Sequence, residues 1–493
     1  MDDLKRDVAR ITVELVSPIN IGSGGIDDFV DSVFITDAND LPCLPGTSIA
    51  GVLRAAWRAF KGEDGAKDLF GFQDEKDGAR SRIEISFGII HDSNDMPVPP
   101  RLPEEEIERD LVLKAARQQQ VRQHVKLTHH GVAADKALFD EAVVPAGNRF
   151  TFEVCVLGGD DSVLDEIIGL FGSGMVRLGA KTRSGLGELK LIRVNRRRFD
   201  LTKPEDMKAY SSLPVGLHVN VDESLLPPYE PREVSDSGAF EVVANVMLDP
   251  EGFWMVGGGD PGEAEEGLPG DRNKAPDMVP YREGRVRWQE QGGKFRGDFM
   301  FEKQDVVVPA SSIKGALRHR TAYHYNFFTG VFSDKLGKED KLDDHDGLSC
   351  PGTKILFGEM LHHKKHTGRA GLVTISDVVA GRPKQKRMMH VSLDRFTGGP
   401  IDGALFEEAP CYKGRRPWNL RIGIRRLPGD GKTNDEKDVY AVACKALGRA
   451  IEDLVEGRLQ IGAGSGRGHG FFRGKVSWSD DGKLAKGENG GES

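Results

Sequence analysis

The sequence predicts an α+β protein made of two tandem copies of one domain, each repeating a strand–helix–strand order twice. Three observations carry this. "LPCLPGTSIAGVLRAAW" from Leu41 and "VVVPASSIKGALRHRTA" from Val306 read almost alike. Three more blocks recur in the same order: "DLFGF" and "ILFGE" at Asp68 and Ile355, A-L-F-[DE]-E-A at Ala137 and Ala404, and "RLGAKTRSGLGELKL" and "QIGAGSGRGHGFFRG" from Arg177 and Gln460. The hydrophobic periodicity also alternates between strand and helix identically in both halves. The spacing between copies differs from block to block, as two homologous domains with different loop insertions would give and a solenoid would not.

The elements follow in order. An alternating strand ("RITVELVSPINIGSG"; "FEVVANVMLD") leads through a long loop to a helix, and a second strand follows ("SRIEISFGII"; "GLVTISDVVAG"). After a loop-rich middle come a third strand ("NRFTFEVCVLG"; "WNLRIGIRRL"), a second helix ("DSVLDEIIGLFGSG"; "DVYAVACKALGRAIEDLVEG"), a Gly-rich turn and a last strand. Apolar residues at period two and then at period 3.6 give these assignments. The resulting β-α-β, β-α-β plan is ferredoxin-like, an antiparallel sheet with two helices on one face. The expected boundaries are a first module over 1–200, a Pro-rich linker over 201–238, a second module over 239–477 and a disordered tail over 478–493.

Composition narrows the function classes. The 493 residues suffice for several domains, and 29% charged residues with 61 Gly and 25 Pro indicate a loop-rich globular protein. No apolar run approaches the ~20 residues of a membrane span, and the charged start "MDDLKRDVAR" does not read as a secretory signal. A cytoplasmic protein without membrane contact is expected. Cys43, Cys155, Cys350, Cys411 and Cys444 contain no C-x-x-C pair, so no disulfide framework is announced. A net charge of −9 argues against indiscriminate nucleic-acid binding, yet local basic patches exist around Arg193–Arg198 and Lys384–Arg387.

The repeated helix carries an apolar stripe, Ile49, Val52, Leu53, Ala56 and Trp57 in the first copy, with Thr47 or Ser48 as the expected N-cap. Lys314 and Arg318 fall one turn apart on the other face of the second copy, near an N-terminus whose free N–H groups favour phosphate. Ala50 replaces Lys314 in the first copy, leaving Arg54 and Arg58. The Gly-rich turns from Gly179 and Gly462 embed Lys181, Arg183 and Arg467, and successive N–H groups there can form an anion nest.

The ordered set "LPGTSIAGVLR" and "VPASSIKGALR", "LFG", "DRFTGGPIDGALFEEA" and "RLGAKTRSGLGE" resembles the RAMP superfamily of CRISPR-associated proteins, most closely the backbone subunit of type III effector complexes, here as two tandem RAMP modules in a type III-D-like arrangement. The resemblance implies a ferredoxin-like (RRM-like) core with a β-hairpin thumb. It implies that stacked subunits hold a guide RNA along Gly-rich loops and basic helix faces, with Ser48, Arg54, Lys181, Arg183, Ser311, Ser312, Lys314, Arg318, Arg395 and Arg467 as the matching RNA-binding positions. It further implies thumbs that kink the paired target RNA, a loop Asp beside each kink for metal-dependent cleavage, and as partners other RAMP backbone subunits, a small subunit and a large polymerase-like subunit. Mg²⁺ or Mn²⁺ is the implied cofactor.

Placed on this sequence, the loop Asp is Asp31 in "VDSVFITDAND", with Asp27 and Asp28 as rivals, and Asp277 in "PDMVPYREGRV", with Asp260 and Asp271 as rivals. Each is followed six residues later by an acid, Asp37 or Glu283. A carboxylate of this kind can hold Mg²⁺ together with phosphates and water. In the first copy "LTHHGV", with His129 and His130, stands where the second has "DRFTGG". A zinc site from His345, Cys350, His362 and His366, with His363 nearby, is a weaker reading because the spacings match no common finger. Three alternatives stay open: a non-catalytic structural backbone, a guide-processing endoribonuclease using a His acid/base, and a nucleotide-binding enzyme. The last fits poorly, since the Gly-rich turns follow helices rather than the first strand of a βαβ unit.

Overall fold

A computed structural model describes residues 4–22, 34–74, 77–118, 120–128, 133–158, 162–172, 176–231, 241–258, 276–332, 334, 349–362, 367–412, 417–427 and 433–487. In the first module, β1 (Lys5–Leu15), α1 (Gly46–Phe70), β2 (Ile83–Ile85), a hairpin of β3 (Gln120–Leu127) and β4 (Ala133–Val143), β5 (Arg149–Leu157), α2 (Ser162–Gly172) and β6 (Leu189–Asp200) follow one another. The second module has β7 (Glu241–Pro250), a hairpin of β8 (Val286–Gln291) and β9 (Lys294–Phe299), α3 (Ala310–Thr329) and β10 (Val373–Ile375). It continues with a hairpin of β11 (Met388–Leu393) and β12 (Pro400–Glu408), then β13 (Trp418–Arg425), α4 (Asn434–Val455) and β14 (Phe472–Trp478).

The two sheets have the same order, β2-β5-β1-β6 and β10-β13-β7-β14, with every pairing antiparallel. This is the ferredoxin-like arrangement, and it places the first strand of each module centrally. Ile11 faces Phe152 and Val194 across the first sheet, and Val246 faces Leu420 and Val476 across the second. Each sheet closes one core against its helices. Ile49, Leu53 and Trp57 of α1 pack with Phe152 and Phe171, and Ile313 and Leu317 of α3 pack with Trp254, Trp418 and Leu447.

Three local expectations are corrected. Neither Thr47 nor Ser48 caps α1: the helix starts at Gly46 behind Pro45, without a side-chain cap. A Cβ at Gly46 would lie 2.3 Å from the Ile85 carbonyl, so only glycine lets the helix start sit this close to β2. The connector beyond Asp200 is packed up to Tyr229, because Leu213, Val221 and Leu226 cover the outer face of β1 and β6 over Val8 and Phe199. The Tyr229 N–H completes this by donating to Val194 O at 2.9 Å. Residues 478–487 also fold, against the expectation of a disordered tail. Leu484 is buried in the second core, and Asp480 accepts the Gly482 and Leu484 N–H groups at 3.0 and 2.8 Å. Residues 488–493 lie outside the described residues.

The modules meet along a seam made mostly by insertions. The β8–β9 hairpin docks on the first module: the Val286 N–H donates to Ala146 O at 2.9 Å, Trp288 Nε1 to Gly147 O at 2.7 Å, and the Gly297 N–H to Ser93 O at 2.8 Å. Val286 and Phe299 bury themselves against Val112 and Ala115, while the Arg149 guanidinium lies 4.2 Å from the centre of the Trp288 ring.

Candidate RNA interface and acidic loops

The acidic loops enter the core in matching register. Phe34 bridges Gly22 and Pro280 bridges Gly257, while the Ile35 and Tyr281 N–H groups donate to Ile21 O and Val256 O. Asp31 and Asp277 each stand three residues before the bridging residue. Asp27, Asp28, Asp31, Asp260 and Asp271 lie outside the described residues; Asp277 is described and exposed. Its Oδ2 accepts the Glu407 N–H at 2.8 Å, and Met278 pairs with Glu408, so Asp277 is tied to the base of the β11–β12 hairpin. Among the described residues the other oxygen of this exposed carboxylate has no hydrogen-bond partner, which suits a hard cation shared with phosphate and water. The acid six residues on is not part of this group. Asp37 accepts the Asn39 and Leu41 N–H groups of its own turn, at 2.8 and 3.1 Å, and Glu283 is buried in an ion cluster.

The base of each hairpin repeats one constellation. In the first module His124 stacks on Phe139 with ring centres 4.9 Å apart, and its Nε2 hydrogen-bonds Glu141 Oε1 at 2.6 Å. Lys181 pairs with Glu141 Oε2 at 2.7 Å. In the second, His390 stacks on Phe406 at 4.9 Å and hydrogen-bonds Glu408 Oε1 at 2.8 Å, while Arg467 donates to Glu408 Oε2 at 2.7 Å. Both carboxylates are buried, at 3% and 0% side-chain exposure. Burial alone would raise the Glu141 carboxyl, but hydrogen bonds from His124 and Lys181 outweigh it and hold it below the usual range. Each hairpin is therefore clamped to its own module's Gly-rich turn. Sequence reasoning missed the roles of His124, His390 and the two glutamates, although the repeated A-L-F-[DE]-E-A block contains both Phe/Glu pairs.

The structure sorts the residues matched to RNA binding. Lys181 and Arg467 serve the clamps. Lys314 Nζ donates to Arg183 O at 3.0 Å, across the seam from α3 to the first module's Gly-rich turn. Burial, with Arg183 and Arg318 nearby, pushes the Lys314 ammonium down to about 8. Gly185 of that turn has φ +100°, and a Cβ there would meet Asp377 Oδ1 at 2.1 Å. Arg318 donates to Gly358 O at 3.0 Å. The turn and the helix face expected to meet RNA thus meet each other, because the second module seats its helix start on the first module's turn. Ser48, Ser311, Ser312 and Arg54 are half-buried at or near the helix starts. Arg395 is exposed at the tip of the β11–β12 hairpin, beside Phe396, which is 93% exposed. Apolar side chains line the outside of both hairpins: Val125, Leu127 and Leu138 on one, Met389, Leu393 and Leu405 on the other.

Other sequence features resolve more simply. The Arg193–Arg198 patch is salt-bridged surface, with Arg196 paired to Asp7 and Asp165 and Arg197 to Asp206. Cys350 is fully buried, its Sγ 3.3 Å from Thr353 Oγ1, and burial raises its thiol. It belongs to the second core. His129, His130, His345, His363, His366 and the side chain of His362 lie outside the description, and no group of three or more metal-ligating side chains occurs among the described residues. All five cysteines are buried, and none is in a disulfide among the described residues. Among the described residues no helix is long and apolar enough to cross a membrane.

Two ferredoxin-like sheets in tandem, each with a hairpin inserted between its second and third strands and a Gly-rich turn clamped to that hairpin, define a double-module protein. The model of the RAMP superfamily matches residues 12–190 and 254–473, one region per module, so the chain belongs to the RAMP superfamily of CRISPR-associated RNA-binding proteins. No curated protein matches the chain.

Proposed function

We propose that this protein is a double backbone subunit of a type III CRISPR effector complex, which holds guide RNA and its paired target and cleaves the target at two stations, Asp31 and Asp277. The observation that carries the reading is the exposed Asp277 carboxylate fixed by the Glu407 N–H at the base of an apolar-sided hairpin. The hairpin supplies the wedge: Met389, Leu393 and Leu405 favour unstacking a base pair, and a clamped base keeps the wedge at one angle to the loop. The loop supplies the charge. With one oxygen engaged by the backbone, Asp277 presents the other toward RNA bent at the hairpin, where a target 2′-hydroxyl, losing its proton to solvent, attacks the adjacent phosphate in line, forms a 2′,3′-cyclic phosphate and expels the 5′-oxygen of the next nucleotide, which leaves as a hydroxyl. A bound Mg²⁺ would polarise that phosphate. Asp31, in equivalent register, does the same for the first module.

The guide, a small subunit, a polymerase-like subunit and further RAMP subunits are the proposed partners. The test uses the assembled complex with end-labelled target RNA: Asp31→Ala together with Asp277→Ala abolishes cleavage while guide and target stay bound. Unchanged fragments would leave the structural-backbone reading. Metal-free cleavage of repeat RNA by the isolated protein would point to the processing enzyme instead.

A further inference from the structure

The first module's hairpin reaches into the second module's acidic loop. Arg122 lies on β3, yet its Nε and Nη2 donate to the two oxygens of Glu283 at 2.5 and 2.9 Å, and Nη2 also donates to Asp377 Oδ2 at 2.7 Å. The three side chains are 2%, 6% and 6% exposed. The two carboxylates have further ties. Tyr281 Oη donates to Glu283 Oε1 at 2.7 Å, and Asp377 Oδ1 accepts the Ala310 N–H at the start of α3, at 2.8 Å. Glu283 and Tyr281 belong to the segment that begins at Asp277. That segment is held at one end by the Glu407 N–H and at the other by Arg122 from the neighbouring module.

Among the described residues the arrangement occurs once. Arg122 faces Glu141 across the first hairpin as Met388 faces Glu408 across the second, so methionine occupies the arginine's place on the outward hairpin. In the first module the acid of equivalent register, Asp37, is satisfied by its own turn. One guanidinium between two buried carboxylates is also hard to omit, because without it two like charges face each other out of water.

We propose that Arg122 is a positioning residue for the second module's acidic loop, so that the station at Asp277 is built by both modules. This rests on the reading of Asp277 as a cleavage residue. The test is the assembled complex on end-labelled target, comparing Arg122→Met, Arg122→Lys and Asp277→Ala. Arg122→Met lowers the Asp277-dependent fragment about 100-fold, as small misplacement of a reacting group does, and leaves the Asp31-dependent fragment unchanged although the substitution lies in the first module's hairpin. Lysine restores part of the loss, since a point charge cannot bridge both carboxylates as the guanidinium fork does. Hydrogen exchange of the Met278 and Tyr281 amides speeds up in Arg122→Met. If that variant fails to assemble, Arg122→Met with Glu283→Gln, which removes one carboxylate charge along with the arginine, carries the same test. Equal loss of both fragments, or wild-type cleavage and exchange in Arg122→Met, overturns the positioning role. A fragment that survives Asp277→Ala overturns the cleavage reading instead, and the exchange measurement then decides alone whether Arg122 holds the loop.

Discussion

The helix starts of the two modules face different surroundings. At α3 the Ala310 N–H is capped by Asp377, Lys314 grips the Arg183 carbonyl, and Gly185 of the first module's turn closes over both. At α1 the same places hold Gly46, Ala50 and, by the pairing of Leu44 with Gly88 and Val308 with Val378, Phe87, which is 59% exposed. One copy of the surface is closed inside the chain by ionic and backbone contacts, and among the described residues the other is apolar and leaves Phe87 exposed. Duplication thus supplied two similar modules and one specialised junction. The Ala50/Lys314 difference, which in sequence looked like unequal RNA contact, is a difference between an apolar face and a seam.

Three sets of changes sharpen this comparison. The largest effect is expected in the core. Trp254, buried at 1% exposure edge-on to Trp418 at 4.6 Å, holds the place that Ile19 holds in the first module. Trp254→Ala should cost about 3–5 kcal/mol and lower the unfolding transition of the second module, while Ile19→Ala should act on the first, as calorimetry with two resolved transitions would show. Equal effects of either change on both transitions would mean that the modules unfold as one unit.

Next come the clamps. Glu141→Gln should cost roughly 1–3 kcal/mol by leaving Lys181 and His124 without their charged partner, read as faster exchange in the β3–β4 hairpin, and Glu408→Gln should do the same only in β11–β12. The Glu141 clamp also carries a pH signature. A carboxyl whose folded value lies below its unfolded one stabilises above the unfolded value and loses that stability as pH falls through the folded one. The first hairpin should therefore loosen at acid pH in the native protein, and Glu141→Gln should flatten that response.

The smallest effect concerns Lys314. Its folded value of about 8 lies below the ordinary 10.5, so between the two the unfolded chain binds more protons and stability rises as pH rises. Lys314→Met should remove that rise in a comparison of unfolding midpoints from pH 8 to 10. An identical slope in both proteins would place the ammonium in solvent.

Much of this was legible in the sequence. The strands and helices were readable because β1, β7, α1 and α3 keep strict periodicities around Ile11, Val246, Ile49 and Ile313, and the duplication was readable because the blocks that build each core recur in order. The seam was not. Lys314, Arg183 and Arg122 have the composition of an RNA-facing surface, and only the docking of one module on the other turns them inward. The packed connector and the folded end near Leu484 escaped for a related reason: isolated apolar residues among Pro, Gly and charges give no period, yet they cover surface left open by the sheets.

The central claim is that two equivalent acidic loops make two separate stations, and fragment mapping with the single variants tests it most directly. Asp31→Ala and Asp277→Ala, each in the assembled complex on an end-labelled target, should each delete a different fragment by on the order of 100-fold or more while the other persists. If both variants cut at both positions as the wild type does, the loops are not the cleavage stations and the account is contradicted.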